Sequence, residues 1–288
     1  MRVSETSVDK KTQDYVKSKI STRNPVIRFD KLKMYFGRPY TIDLDNADGN
    51  LTIYEPTLGD VVDYGEKEWY ANLSPYISTT TTFMVQLWDS GIDWNEISDF
   101  EFFCTSGIYK QVDPKFNQIV FQKDMTKFEP HYREIENENG EVERILVLYD
   151  EESGTEINEE VYFHLSQYLR TCFQNFPNER FCKQKALRQA WVRTERANAH
   201  NAEVMRKRNM DSDSALFPIV SACINHPGFP YDIQSIDKLP IFAFMDSVAR
   251  LQIYESTHAM LQGSYSGMCD MSKVPQENFN FMREIKHD

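Results

Sequence analysis

Alternating apolar and polar positions in the first part of the chain predict β-strands. Two such stretches, residues 40–44 and 51–54, lie on either side of residues 46–50, which are rich in turn-forming Asn, Asp and Gly. This arrangement predicts a β-hairpin. Pro56 has no backbone N–H, so we expect it to end the second strand.

The spacing of apolar residues then changes to that of a helix. Thr57 and Asp60 stand three residues apart, as in the capping box that begins many helices. From there a stripe repeats at every fourth position, which predicts one amphipathic helix. The residues of this stripe are Val61, Gly65, Trp69 and Leu73.

Two further short helices are predicted from the aromatic clusters that follow. The first ends at Gly91, and its apolar face consists of Phe83, Met84, Leu87 and Trp88. The second is expected to be capped by Asp93 and Glu96, and it carries Ile97, Phe100 and Phe103. Aromatic clusters of this kind are typical of a hydrophobic core, so we expect Trp88 to be a buried anchor.

Residues 117–150 return to strand character. The Asn139-Gly140 pair favours a type I′ turn, which predicts a hairpin between residues 132–135 and 145–149. The stretch from residue 134 to residue 160 holds eleven acidic residues and a single basic one, Arg144. We interpret this charge as a solvated edge that resists pairing with other sheets. The alternative is a docking surface for a basic partner.

Helical spacing dominates from Asn158 onward. A strong apolar stripe ends before Pro177, a weaker helix is predicted over residues 180–208, and Pro240 and Gly263 bracket the last helix. Three apolar faces are expected in the core: Val161, Leu165, Tyr168, Leu169, Cys172 and Phe173; Leu216, Phe217, Val220, Cys223 and Ile224; and Ile241, Phe244, Met245, Val248 and Leu251.

These patterns predict an α+β fold, with β-hairpins and short helices in the N-terminal half and a mainly α-helical C-terminal half. We divide the chain into an N-terminal arm (1–24), an α+β region (25–178) and a helical region (179–288). The last two regions either fold separately or share one core.

Basic residues are concentrated in the predicted helix at residues 180–208. Nine of its residues are Lys or Arg, and two acidic residues, Glu195 and Glu203, stand among them. Isolated surface ion pairs add little stability, so a positive face is better explained by a partner than by folding. The candidate partner-binding residues are Arg188, Arg193, Arg196, Arg206, Lys207 and Arg208. The alternative is a merely solvated face.

Composition narrows the class of partner. The chain has 288 residues, a hydrophobic fraction of 41% and a net charge of −12, so it can bury a core and repels phosphate backbones. Nucleic acid is therefore an unfavoured partner. The sequence contains no long apolar segment and no signal peptide, which predicts a cytoplasmic protein that does not enter membranes. Five cysteines without a C-x-x-C pair predict free thiols.

Candidate chemistry is weak throughout the sequence. Residues 44–55 resemble a calcium loop, but Leu44 stands at the first ligand position. Residues 263–267 (GSYSG) place Tyr265 where a nucleophile elbow needs serine. The six histidines are scattered and share no metal-ligand spacing with the cysteines. We therefore expect no metal, no cofactor and no catalytic residues, and the alternative is an enzyme site assembled from distant residues.

Several stretches resemble a family of tailed-bacteriophage virion-assembly proteins, often called tail assembly chaperones. They are residues 56–66 (PTLGDVVDYGE), 87–95 (LWDSGIDWN), 97–101 (ISDFE), 225–229 (NHPGF), 244–248 (FMDSV), 250–256 (RLQIYES), 265–267 (YSG) and 281–284 (FMRE). The resemblance implies phage tail morphogenesis through protein–protein contacts in the host cytoplasm. The implied partners are the tape measure protein, the tail tube protein or another copy of the chain. A structural virion subunit of the neck, tail or baseplate is the alternative.

Overall fold

The computed structural model describes residues 27–43, 50–136, 142–207, 214–267 and 274–285, which form the predicted α+β fold. The strands are β1 (Tyr40–Ile42), β2 (Leu51–Ile53), β3 (Glu129–Glu136), β4 (Val142–Asp150) and β5 (Thr155–Ile157). Short 3₁₀ turns span Ile108–Gln111, Met125–Lys127 and Gln276–Phe279. The predicted arm (1–24) lies outside the described residues.

The α-helices are unevenly sized, and the longest ones lie in the C-terminal half as predicted. The helices before β3 are α1 (Lys31–Tyr35), α2 (Leu58–Tyr64), α3 (Glu66–Ile77), α4 (Met84–Asp89), α5 (Asp99–Ser106) and α6 (Pro114–Phe121). Those after β5 are α7 (Glu159–Phe173), α8 (Lys185–Lys207), α9 (Leu216–Ile224), α10 (Ile233–Ile236) and α11 (Ile241–Tyr265).

The first hairpin and the capping box are both confirmed. β1 and β2 pair antiparallel with Thr41 opposite Thr52, while residues 44–49 of the turn lie outside the described residues. The Thr57 hydroxyl accepts from the Asp60 N–H at 3.1 Å, and the Asp60 carboxylate accepts from the Thr57 N–H at 2.8 Å. This reciprocal pair satisfies two backbone donors at the start of α2.

The prediction of one helix after the capping box is wrong, because the chain breaks at Gly65. Its φ of +104° is accessible to glycine and strained for other residues, so α2 ends there and α3 starts in a new direction. Val61, Trp69 and Leu73 are nevertheless all buried. The stripe is thus shared by two helices.

Two other boundaries between residues 90 and 130 differ from the prediction. Ser98, rather than Asp93 or Glu96, caps α5, since its side chain accepts from the Glu101 N–H. Residues 117–121 belong to α6 and not to a strand. Asp113 caps α6 and Pro114 occupies its first turn, a combination that begins a helix regardless of the β-branched residues that follow.

The second hairpin is confirmed and gains a third strand that the sequence pattern did not indicate. β3 and β4 pair antiparallel, with Tyr132 opposite Leu146, and β5 pairs with the end of β4. Residues 137–141, which include the predicted Asn-Gly turn, lie outside the described residues.

Helices α9 and α11 each differ from the prediction. Phe217, expected in the core, is 71% exposed because α9 buries Leu216 and Cys223 on its other side. Helix α11 does not end before Gly263 but continues to Tyr265, and the positive φ follows at Gly267.

One main hydrophobic cluster joins the two halves of the chain. It contains Trp69, Leu165, Phe173 and, from α11, Ile241 and Phe244. Backbone hydrogen bonds tie the same halves together: the Leu58 N–H donates to Leu239 O at 2.9 Å and the Gly59 N–H donates to Asp237 O at 2.8 Å. Side chains on both sides of residue 178 therefore share this core.

Candidate protein-binding surface

The basic helix α8 lies on a second, smaller hydrophobic cluster. Val192 packs there with Met84, Leu87 and Trp94, and Trp191 covers the edge. All 23 residues of α8 are described, and only Val192 among them is buried. Most of the helix surface is consequently open to solvent.

The helix starts at Lys185, later than predicted, and side-chain contacts hold the irregular segment that precedes it. The Trp94 indole Nε1 donates to Arg180 O at 2.9 Å, and the Asn95 amide Nδ2 donates to Cys182 O at 2.7 Å. These two contacts hold the segment before α8 against the small cluster, and so position the start of the helix.

Two of the predicted partner-binding arginines are engaged within the chain. The Arg188 guanidinium lies 2.6 Å from the Asp93 carboxylate, and that side chain is only 14% exposed. Arg196 forms an ion pair with Asp89 at the end of α4. These contacts position α8 on the small cluster, so neither arginine is a free contact for a partner.

The remaining predicted residues are distributed differently. Lys207 pairs with Glu203 one turn earlier, at 2.6 Å. Arg193 and Arg206 are exposed and form no ion pair with any described residue. Arg208 lies outside the described residues. Exposed apolar side chains, Leu187 and Met205, accompany these cations on the helix.

Sequence reasoning missed Asp89 and Asp93, the acidic partners of the helix. The acidic stretch at residues 134–160 does not take this role within the chain, because no ion pair joins it to α8 among the described residues. No local spacing pointed to this pairing, because the two aspartates are four residues apart whereas the two arginines are eight residues, or about two helical turns, apart.

A cavity of about 350 Å³ lies beside the start of α8. Trp88, Lys185 and Arg188 line it together with Asp93. Trp88 is only half-buried at this cavity, so the predicted core anchor is instead Trp94, which is fully buried. The rings of the two tryptophans meet edge to face at 5.9 Å.

A buried group of titratable side chains lies between α7, α11 and the first hairpin. Burial raises the pKa of Glu55 to about 8, although the Phe242 N–H that donates to its carboxylate acts in the opposite direction. Burial, together with the nearby Glu55, also raises the pKa of Cys172 and of Tyr168. None of these three residues lines the cavity beside the start of α8.

Other candidate chemistry was sought in the part of the chain that the structure describes. There, no three His, Cys, Asp or Glu side chains are grouped so that they could hold a metal ion. No described helix has the length and apolar character needed to cross a membrane. Cys104, Cys172, Cys182 and Cys223 are buried free thiols, and Cys269 lies outside the described residues.

Comparison with known proteins adds no further constraint. The chain matches no protein-family model, no curated protein and no solved structure. Its function therefore has to be argued from the surfaces described above.

Proposed function

We propose that the chain is a phage tail morphogenesis factor, similar to tail assembly chaperones, that acts through protein–protein contacts. The partner is the tape measure protein, the tail tube protein or another copy of the chain. The proposal combines the resemblance of the sequence stretches with the character of α8. We expect this role to require no catalytic residue and no cofactor.

The observation that carries the proposal is the poor burial of α8. Most helices in proteins depend on tertiary packing for their stability. A largely polar helix without such packing needs many side-chain pairs along its surface or contact with another element. The first half of α8 has such packing through Trp191 and Val192. From residue 196 to residue 207 the helix buries no side chain, which supports a contact with a partner there.

The unpaired cations indicate the charge of that partner. Arg193 and Arg206 have no carboxylate close enough among the described residues, and Leu187 and Met205 of the same helix expose apolar surface. Charges of this kind contribute mainly to the rate of encounter and to register. An acidic surface with apolar contacts is the complement that fits.

A charge reversal at Arg193 and Arg206 tests the proposal. The Arg193→Glu/Arg206→Glu protein should fold normally but bind tape measure or tail tube protein more weakly in co-purification, and native binding should weaken with salt. The matched control is Arg38→Glu/Lys238→Glu, which makes the same charge change at exposed sites elsewhere. Equal binding and equal tail assembly in both variants would contradict the proposal.

Mass spectrometry of purified particles separates the two forms of the proposal. A chaperone should be absent from finished virions, whereas a neck, tail or baseplate subunit should be retained at a fixed number of copies. Deletion of the gene should prevent tail formation in both cases. Normal tails after deletion would contradict both.

A further inference from the structure

Strand β4 has an open edge over most of its length. β3 pairs with it along the whole hairpin, from Glu129 opposite Tyr149 to Glu136 opposite Val142. On the other side, β5 pairs only with residues 148–150. Residues 142–147 therefore have no strand partner on that side among the described residues. Val147 is itself buried, so residues 142–146 present a template about 17 Å long.

The edge is open because β5 ends where α7 begins. The Asn158 side chain accepts from the Val161 N–H at 2.9 Å, which caps α7 one residue after Ile157. The chain thus turns into a helix at the point where a longer β5 would have covered the rest of β4.

A groove runs beside this open edge. It has a volume of about 520 Å³ and is lined by residues of β3, β4 and the first turns of α5 and α7. Its apolar lining comes from Phe100, Leu146 and Phe163, and Tyr132 stands over it with 72% of its surface exposed. The groove can therefore accept apolar side chains from a segment that runs along β4.

The rim of the groove is acidic. Glu101, Glu159 and Glu160 are exposed there, and none of them forms an ion pair within the described residues. The only cation of the lining, Arg144, lies 2.8 Å from Glu134 and is neutralised by it. The positive ends of α5 and α7 add about +0.5 charge each, so a net charge of about −2 remains.

The opposite edge of the sheet, formed by β3, is protected against pairing with a further strand. The open edge of β4 is therefore the favoured side for pairing. Pro130 in β3 has no N–H to donate to a further strand. The open part of β4 contains no proline and includes Val142 and Ile145. Such an edge favours addition of a strand.

We infer that the open edge of β4 is a docking site for an extended, basic segment of a partner protein. The segment adds a strand to residues 142–146, places alternate apolar side chains in the groove and pairs its Lys or Arg side chains with Glu101, Glu159 and Glu160. Backbone hydrogen bonds supply affinity in this mode, and the groove and rim supply specificity. The site uses no residue of α8, so it is independent of the function proposed above.

The inference is tested with peptides and the full-length protein. The probe is a labelled ten-residue peptide of alternating Val and Lys, and the matched peptides replace Lys with Glu or carry N-methyl groups at alternate backbone positions. Binding is measured by fluorescence anisotropy. We expect the Val/Lys peptide to bind, and both matched peptides to bind at least about tenfold more weakly. An acidic or N-methylated peptide that binds equally well would overturn the inference.

Protein variants locate the site. Glu159→Gln/Glu160→Gln should weaken binding of the Val/Lys peptide about fivefold, since two exposed ion pairs are lost. The control Glu68→Gln/Glu151→Gln removes the same charge from exposed positions outside the groove and should bind as the native protein does. Equal losses in both variants would overturn the inference. Arg193→Glu/Arg206→Glu should leave peptide binding unchanged, so a failure here is distinct from a failure of the α8 proposal.

Discussion

The carboxylate of Glu55 accepts a hydrogen bond of 2.7 Å from the backbone N–H of Phe242, which stands 187 positions later in the chain. Glu55 follows β2, and Phe242 is in the first turn of α11. The second oxygen of the carboxylate is buried and has no hydrogen-bond partner among the described residues. A charged carboxylate is therefore poorly solvated here, even though it faces a helix N-terminus.

Glu55 should make the stability of the protein fall as the pH rises. Burial raises its pKa from 4.5 to about 8, so the folded protein binds the proton more tightly than the unfolded chain does. The stabilisation of the folded state by proton binding at Glu55 is fully present below about pH 4.5 and is lost as the pH rises through 8. We expect Glu55→Gln to be more stable than the native protein above pH 8, by on the order of 3 kcal/mol.

Urea unfolding between pH 5 and pH 9 measures this difference. Glu68→Gln, a change at an exposed carboxylate, serves as the control and should keep the native slope of stability against pH. A Glu55→Gln protein with that same slope would show that Glu55 titrates normally.

Trp94 and Trp88 should differ in their contribution to stability. Trp94 is fully buried, and its indole donates to Arg180 O, whereas Trp88 is half-buried beside a cavity. Trp94→Ala should cost about 3–5 kcal/mol, and Trp88→Ala clearly less. Chemical denaturation of the two variants decides between them, and a larger loss for Trp88→Ala would contradict this assignment.

Gly59→Ala should destabilise the protein, although alanine is usually the better residue in a helix by about 1 kcal/mol. A Cβ at this position in α2 would lie 2.8 Å from the backbone oxygen of Asp237 and 2.6 Å from its Oδ1. We expect a net loss of about 1–3 kcal/mol. The Asp237→Ala background removes only the side-chain contact, so thermal unfolding should show partial recovery there. Full recovery of stability would show that the contact with the backbone oxygen of Asp237 contributes nothing to the loss.

The four buried cysteines should react slowly in the native protein and completely after unfolding. Burial raises the pKa of Cys104, Cys172 and Cys223, which leaves little thiolate at neutral pH. A thiol reagent applied without reductant should label five cysteines in denaturant, where all thiols are accessible. Substantially fewer would indicate a disulfide, and rapid labelling of all five before unfolding would contradict the burial.

Local signals predicted those parts of the fold that local interactions determine. The Thr57–Asp60 capping box and the helix from Asn158 follow from side chains that bond to backbone groups three residues away. The break at Gly65 was not predictable from periodicity, because Val61, Trp69 and Leu73 keep their spacing across it. At α6 the β-branched Ile119 and Val120 suggested a strand, although Asp113 and Pro114 offered the competing signal.

The candidate surface on α8 was predictable in extent but not in its contacts. The charge of the helix is visible in the sequence, whereas Asp89 and Asp93 are about a hundred positions away from their arginines. The burial of Trp94 rather than Trp88 depends on the same distant helix. Such pairings are decided by how the chain folds back on itself, which no local pattern records.

The hydrogen bonds that join residues 55–59 to residues 237–242 also set an order of events during synthesis. At roughly 5–20 residues per second, a ribosome needs about 10–40 s to add the 187 residues between Glu55 and Phe242. During that interval Leu58 and Val61, both buried in the finished protein, lack the packing that α11 completes. The nascent chain therefore passes through a period of exposed apolar surface, in which cellular chaperones have time to bind it.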